Sequence, residues 1–192
     1  MNIGLFSGSF NPIHLGHLIL ASYCVEYGAF DEVWLSVSPH NPLRERVAAD
    51  DDAHRCAMVQ MAVSELPRVK YCDIEFSLPQ PSYTIATLDA LRERYPEHNF
   101  TLIIGADNWL IFDRWSQWQR IISDYSVCIY PRTGYAIDTL TLPERVGYID
   151  APLVELSSTW VREGVAAGRD MTAFLPYGVY RYIVENNLYK LK

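Results

Sequence analysis

Along this chain, short runs rich in β-branched and aromatic residues alternate with stretches whose apolar positions recur every three to four residues. The runs NIGLFS (2–7), EVWLSVS (32–38), VKYCDIEF (69–76), FTLIIGA (100–106) and SVCIYPR (126–132) predict strands. Between them, HLGHLILASYCVEYG (14–28), DAHRCAMVQMAVSEL (52–66), TIATLDALRERY (84–95) and the Trp-rich NWLIFDRWSQWQRII (108–122) predict helices. An extended piece at 146–156, a short helix at 158–168 and a last helix at 178–189 complete the pattern. Strands separated by crossover helices run in the same direction, and right-handed crossovers cover both faces of the sheet. The expected fold is therefore α/β, a doubly wound parallel sheet. No repeat, low-complexity tract or linker interrupts the alternation, so one domain over 1–192 is expected. The polar segment SPHNPLRERVAADD (38–51), with two prolines, predicts a mobile loop between the second strand and its helix.

Charge narrows the partners. A formal net charge of −7 over 192 residues argues against a broad nucleic-acid surface and leaves a local pocket for a small anionic substrate. The four cysteines, Cys24, Cys56, Cys72 and Cys128, are far apart and form no CxxC pair, which predicts free thiols rather than zinc or disulfides. No apolar run reaches the roughly 18 residues of a membrane span, and the start MNIGLFSGSF lacks the basic segment of a secretory signal. A cytoplasmic protein without membrane contact is expected. Assembly into a homo-oligomer stays open.

The chemistry is concentrated in SGSFNPIHLGH, Ser7 to His17, directly after the first predicted strand. In a doubly wound sheet, ligands bind beyond the carboxyl ends of the strands, near the point where strand order reverses. Ser7, Gly8 and Ser9 permit close backbone approach, Pro12 precedes the helix, and the free N–H groups of a helix start suit a phosphate. His14 and His17, three apart, can project from one face of the first helical turn, with Gly16 leaving room beside them. The stretch is neither the GxGxxG of dinucleotide binding nor the GxxxxGK[ST] of a P-loop. A zinc site would need further ligands that helical spacing does not supply. A helix-start histidine and a second one packed on the sheet is the alternative for either ring alone.

GSFNPIHLGH resembles the HxGH signature of the nucleotidyltransferase superfamily, and LSSTWVREG (156–164) is similar to the ISSTxxR motif of its adenylyltransferase branch, with Leu for Ile. SYTIATL (82–88), IIGADNWLIFDRW (103–115) and the tail LPYGVYRYIVENNLY further resemble the nicotinate mononucleotide adenylyltransferase family. The resemblance implies a Rossmann-like nucleotidyltransferase fold and transfer of the adenylyl group of ATP to nicotinate mononucleotide, giving deamido-NAD and pyrophosphate, with Mg2+ carried on the ATP. It also implies residue roles. His14, His17 and Arg162 would be catalytic. Ser7, Gly8, Ser9, Gly105, Asp107, Ser157, Ser158 and Thr159 would bind ATP. Tyr83, Thr84 and Trp115 would hold the mononucleotide, Trp115 by stacking on the pyridine. For Asp107, an N-cap of a helix starting at Asn108 is the competing role. Where the family shows Pro-Pro-His-Lys after the second strand, this chain has SPHNPLRER, which shifts the basic role to Arg44 or Arg46. The competing functions are a sister adenylyltransferase acting on nicotinamide mononucleotide or phosphopantetheine, a cytidylyltransferase, and an ATP-binding sensor without catalysis. A class I aminoacyl-tRNA synthetase fragment, with its similar HIGH motif, is disfavoured by length and acidity.

Overall fold

Period-two burial along the strands decides which layer each residue joins. In the first strand, β1 (Asn2–Gly8), Ile3 and Leu5 are fully buried toward one side and Phe6 toward the other. The structure is a computed structural model and describes residues 1–39 and 52–190. Successive elements are α1 (Leu15–Tyr27), β2 (Glu32–Val37), α2 (Asp52–Val63), β3 (Val69–Cys72), α3 (Thr84–Arg94), β4 (Asn99–Gly105), α4 (Ala106–Trp109), α5 (Trp118–Asp124), β5 (Ser126–Tyr130), β6 (Val146–Tyr148), α6 (Ser158–Ala166) and α7 (Val179–Glu185).

The six strands form one sheet in the order β3-β2-β1-β4-β5-β6, every pairing parallel. One face carries Val33, Leu35 and Val37 of β2 against Leu20, Cys24 and Val25 of α1 and Met58 and Val59 of α2. The other carries Leu102 and Ile104 of β4 and Val127 and Ile129 of β5 against Ile85, Leu88 and Leu91 of α3 and Ile121 of α5. Both faces are thus covered, as a parallel sheet requires. The order reverses between β1 and β4, and both strands end there at a glycine, Gly8 and Gly105.

Four predicted elements differ in extent. The strand read as 69–76 stops at Cys72, because Ile74–Ser77 turns into a 3-10 helix that buries Glu75. The helix read as 108–122 is three pieces: α4, a 3-10 turn at Phe112–Arg114, and α5. Trp109, Phe112 and Trp115 are spaced by three and pack ring on ring at 5.2 Å each, which suits a 3-10 turn, and Gln117 at φ 54° breaks the path. Of 146–156, only Val146–Tyr148 pairs with β5. The last helix spans Val179–Glu185, and Asn187 and Tyr189 beyond it both take positive φ. The segment 40–51, with Arg44 and Arg46, lies outside the described residues.

Candidate active site

The turn that leaves β1 is pinned from several sides. Buried Arg55 of α2 donates to the Ser9 carbonyl (2.6 Å) and the Ser38 carbonyl (2.9 Å) while pairing with Asp52. Arg162 of α6 donates to the Asn11 carbonyl at 2.7 Å, and Ser158 Oγ donates to the Pro12 carbonyl at 2.9 Å. Tyr189 Oη donates to Asn11 Oδ1 at 2.5 Å. Within the turn, Phe10 takes φ 43° and is 2 % exposed, its ring edge-on to His17 at 5.0 Å. A Cβ at Gly8 would lie 3.1 Å from that ring, so any larger residue there would make Phe10 shift by a few tenths of an ångström.

His14 is the N-cap of α1 rather than a member of its first turn. Its backbone N–H donates to His17 Nδ1 at 3.1 Å. In the neutral ring the proton of His17 is therefore on Nε2, a donor free for a ligand. The two imidazoles stack at 3.7 Å and 25°. A Cβ on Gly16 would meet the His14 ring at 3.0 Å, so the space this glycine leaves is taken by His14 itself. Burial and then the Arg132 guanidinium bring His14 down to about 4. Burial, His14 and Arg132 likewise hold His17 well below the ordinary histidine value. In the unliganded site both rings are neutral at pH 7.

Facing them, Ser157 caps α6 by accepting the Trp160 N–H at 3.1 Å. The N–H groups of Ser158 and Thr159, in the first turn, have no intrahelical acceptor. The Ser158 hydroxyl is committed to Pro12, whereas Thr159 Oγ1 accepts from Arg162 at 3.2 Å and keeps its own hydrogen, so this helix start offers a ligand its backbone N–H groups and the Thr159 O–H.

Across the cavity, β4 ends at Gly105, which caps α4, and Asp107 falls in the first turn. The N-cap role considered for Asp107 is thereby corrected, because the helix starts two residues earlier than Asn108. Asp107 Oδ1 is buried, accepts no hydrogen bond among the described residues, and lies 3.5 Å from Arg132 Nε. A Cβ on Gly105 would sit 2.3 Å from that oxygen. Tyr83 caps α3 and Thr84 opens it.

These groups share one cavity of about 750 Å3 at the β1–β4 reversal. It is bordered by Ser7, Gly8, Ser9, His14, His17, Tyr83, Thr84, Gly105, Asp107, Trp115, Ser157, Ser158 and Thr159. Of the three tryptophans in the stretch only Trp115 reaches it. Two expectations change. Arg162 does not border the cavity; one of its bonds ties α6 to the turn at the Asn11 carbonyl, and the other stays within α6, to Thr159. Ser7 gives its hydroxyl hydrogen to Glu75 at 2.6 Å and cannot also donate to a phosphate. The sequence reading missed Arg132, the cation that faces the histidines, and Glu75. Both were hidden in apparent strands, Arg132 as the last residue of 126–132 and Glu75 in the alternation of 69–76.

The cytidylyltransferase-like family model matches residues 5–164, which spans the histidine pair, the cavity and the start of α6. The chain belongs to the cytidylyltransferase-like family. Among its relatives, "Probable nicotinate-nucleotide adenylyltransferase" of Bacteroides fragilis (strain YCH46) is 48% identical over 182 residues, covering 95% of this chain and 90% of that one. A protein of the same description from Flavobacterium johnsoniae is 42% identical over 192 residues, covering 99% of this chain and 100% of its own length. In fold, the chain is similar to Plasmodium falciparum nicotinic acid mononucleotide adenylyltransferase complexed with NaAD. The TM-score is 0.82 at 19% identity, with 98% of this chain and 97% of that one covered. The parallel order of six strands is thus that of a Rossmann-like nucleotidyltransferase. Among the described residues, no helix is long and apolar enough to cross a membrane.

Proposed function

We propose that this chain transfers the adenylyl group of ATP to nicotinate mononucleotide, releasing pyrophosphate and forming deamido-NAD. The observation that carries the reading is the convergence of two neutral histidines, Arg132 and two helix starts on one cavity, in a chain 48% identical to a relative of that description.

The reaction forms a bond from a mononucleotide phosphate oxygen to the α-phosphorus and breaks the bond from that phosphorus to pyrophosphate. The attacking oxygen is already anionic, so the step needs no general base. Catalysis is positioning plus donors aimed at the oxygens where charge builds. His17 Nε2–H and His14 are placed to supply those donors from the β1 side. The Ser158 and Thr159 N–H groups meet the outer phosphates, and the Arg132 guanidinium balances charge from the β5 side. Approach of the triphosphate acts on both rings in the opposite sense to burial and favours their protonated forms. Asp107, whose buried Oδ1 accepts no hydrogen bond among the described residues and has Arg132 Nε 3.5 Å away, takes a ribose hydroxyl or adenine N–H.

For the acceptor, Trp115 stacks on the pyridine while the α3 start at Tyr83 and Thr84 presents N–H groups to its carboxylate. Among the described residues no cluster of three His, Cys, Asp or Glu side chains is placed to hold a metal. Magnesium carried on the triphosphate would neutralise part of its charge there.

A pyrophosphate-release assay of ATP against nicotinate mononucleotide, nicotinamide mononucleotide, phosphopantetheine and CTP-dependent acceptors tests the assignment, with deamido-NAD identified by mass. ATP binding without pyrophosphate release for any acceptor refutes it in favour of a sensor.

A further inference from the structure

Glu75 is 4 % exposed, and its partners among the described residues are hydroxyls rather than a cation. Oε1 accepts from Ser7 Oγ at 2.6 Å and Ser36 Oγ at 3.0 Å, and Oε2 accepts from Ser82 Oγ at 3.3 Å. The three serines come from the end of β1, from β2, and from the residue before the α3 N-cap. Gln80 closes the arrangement: its Nε2 donates to the Glu75 carbonyl at 3.0 Å and its Oε1 accepts the Ser82 N–H at 3.3 Å. Burying a carboxylate without a cation is costly, and an apolar side chain would fill the same space more stably. The carboxylate also borders the cavity, between the turn after β1 and the start of α3.

We infer that Glu75 is a positioning residue that fixes, through Ser7 and Ser82, the spacing between the phosphate turn and the acceptor pocket. It acts through those hydroxyls. A negative charge would repel the phosphates and the pyridine carboxylate from direct contact. Each serine spends its O–H on the carboxylate, so Ser7 and Ser82 turn only lone pairs outward. The inference rests on the proposed adenylyl transfer, since it assigns the two halves of the cavity to its two substrates.

Glu75→Gln in the full chain is the test. The amide keeps the volume and can still accept from Ser7 and Ser36, but its NH2 faces the Ser82 hydroxyl, which must turn over. The expected result is a rise of about 10-fold in KM for nicotinate mononucleotide, the order expected when a charged hydrogen bond becomes a neutral one. KM for ATP should change less than about 3-fold on the same scale, because the Ser7 bond survives. Ser82→Ala should give a similar rise, and Glu75→Gln with Ser82→Ala no more than the larger single effect, since the two form one connection. Constants equal to those of the parent with only a lowered Tm overturn the inference and make Glu75 structural. Additive effects overturn it as well. If Glu75→Gln fails to fold, the Ser82→Ala constants decide: an unchanged KM for the mononucleotide overturns it. A parent that forms no deamido-NAD overturns the functional reading and this inference with it, whereas an active parent with unchanged variants overturns this inference alone.

Discussion

His17 carries two separable jobs, and a pair of substitutions can divide them. Its Nδ1 accepts the His14 N–H at 3.1 Å, a bond that closes the start of α1, while its Nε2–H is the donor proposed for the reacting phosphate. His17→Ala removes both. Loss of the cap bond costs about 1 kcal/mol of stability, and the space left beside Phe10, whose ring lies 5.0 Å away, adds a further cost of about 1 kcal/mol. Loss of the Nε2 donor should lower kcat by roughly 100-fold or more, as removal of an oxyanion-hole donor does, about 2.7 kcal/mol of barrier. His17→Asn restores the first job alone, because its Oδ1 falls near the position of Nδ1 and can accept the same N–H, while its amide nitrogen falls short of the Nε2 position. The measurements are pyrophosphate release at saturating substrates and urea unfolding of all three proteins. The Asn variant should recover most of the stability and almost none of the turnover. A folded Ala variant with kcat within 3-fold of the parent, roughly 0.6 kcal/mol, would refute the donor role and leave His17 as a capping residue.

Other outcomes are equally definite. Gly105→Ala places a Cβ 2.3 Å from Asp107 Oδ1 and 3.1 Å from Arg132 Cγ, so the carboxylate must move; KM for ATP should rise about 10-fold with about 1–3 kcal/mol of stability lost, and an unchanged KM would take Asp107 out of the nucleotide site. The folded His14 value of about 4 lies below the usual 6.5, so between these the unfolded chain binds the extra proton and stability falls as pH drops from 6.5 to 4, by about 3 kcal/mol in all. His17, lowered for the same first reason, adds in the same direction, and unfolding profiles of parent and His14→Ala that run parallel would contradict the assignment. Trp115→Ala should raise KM for nicotinate and nicotinamide mononucleotides about equally, by about 10-fold, since stacking does not read the substituent; a change confined to one of them would refute stacking.

What the sequence revealed and what it hid divide along physical lines. The alternation of strands and helices, the parallel direction of the strands and the place of the first signature beyond β1 follow from apolar periodicity and crossover handedness, which are local and chiral rules, whereas the strand order and the reversal between β1 and β4 are seen only in the folded sheet. The commitment of individual polar atoms does not. Ser7 and Arg162 carry the residue types expected of a phosphate site, yet their bonds run to Glu75 and to Asn11, partners distant in sequence that no spacing rule names. Glu75 itself was concealed because VKYC followed by DIEF continues a plausible alternation, and only the buried carboxylate and its three hydroxyl donors show why the chain leaves the sheet there. Arg132 read as the last residue of a strand, whereas β5 ends at Tyr130 and the guanidinium turns back toward Asp107.

An acidic chain that handles polyanions must obtain its attraction locally, and the described cavity shows how. With a net charge of −7, the overall field repels ATP, so binding depends on short-range donors. Among the described residues these are the starts of α3 and α6, the Nε2–H of His17, and the guanidinium of Arg132, itself shared with Asp107 at 3.5 Å, with Arg114 also on the cavity border. Neutral donors hold a resting triphosphate less tightly than fixed cations would, and their contribution grows as charge gathers around the α-phosphorus. They also let go of pyrophosphate more readily, since the product keeps the outer-phosphate contacts but loses the α-phosphorus at which the histidines aim. Donors of this kind act only if they stay put. A rigid backing is therefore part of the chemistry: Arg55, Arg162 and Glu75, none of them proposed to touch the substrates, and the hydroxyl of Ser158 hold the turn after β1 from separate directions.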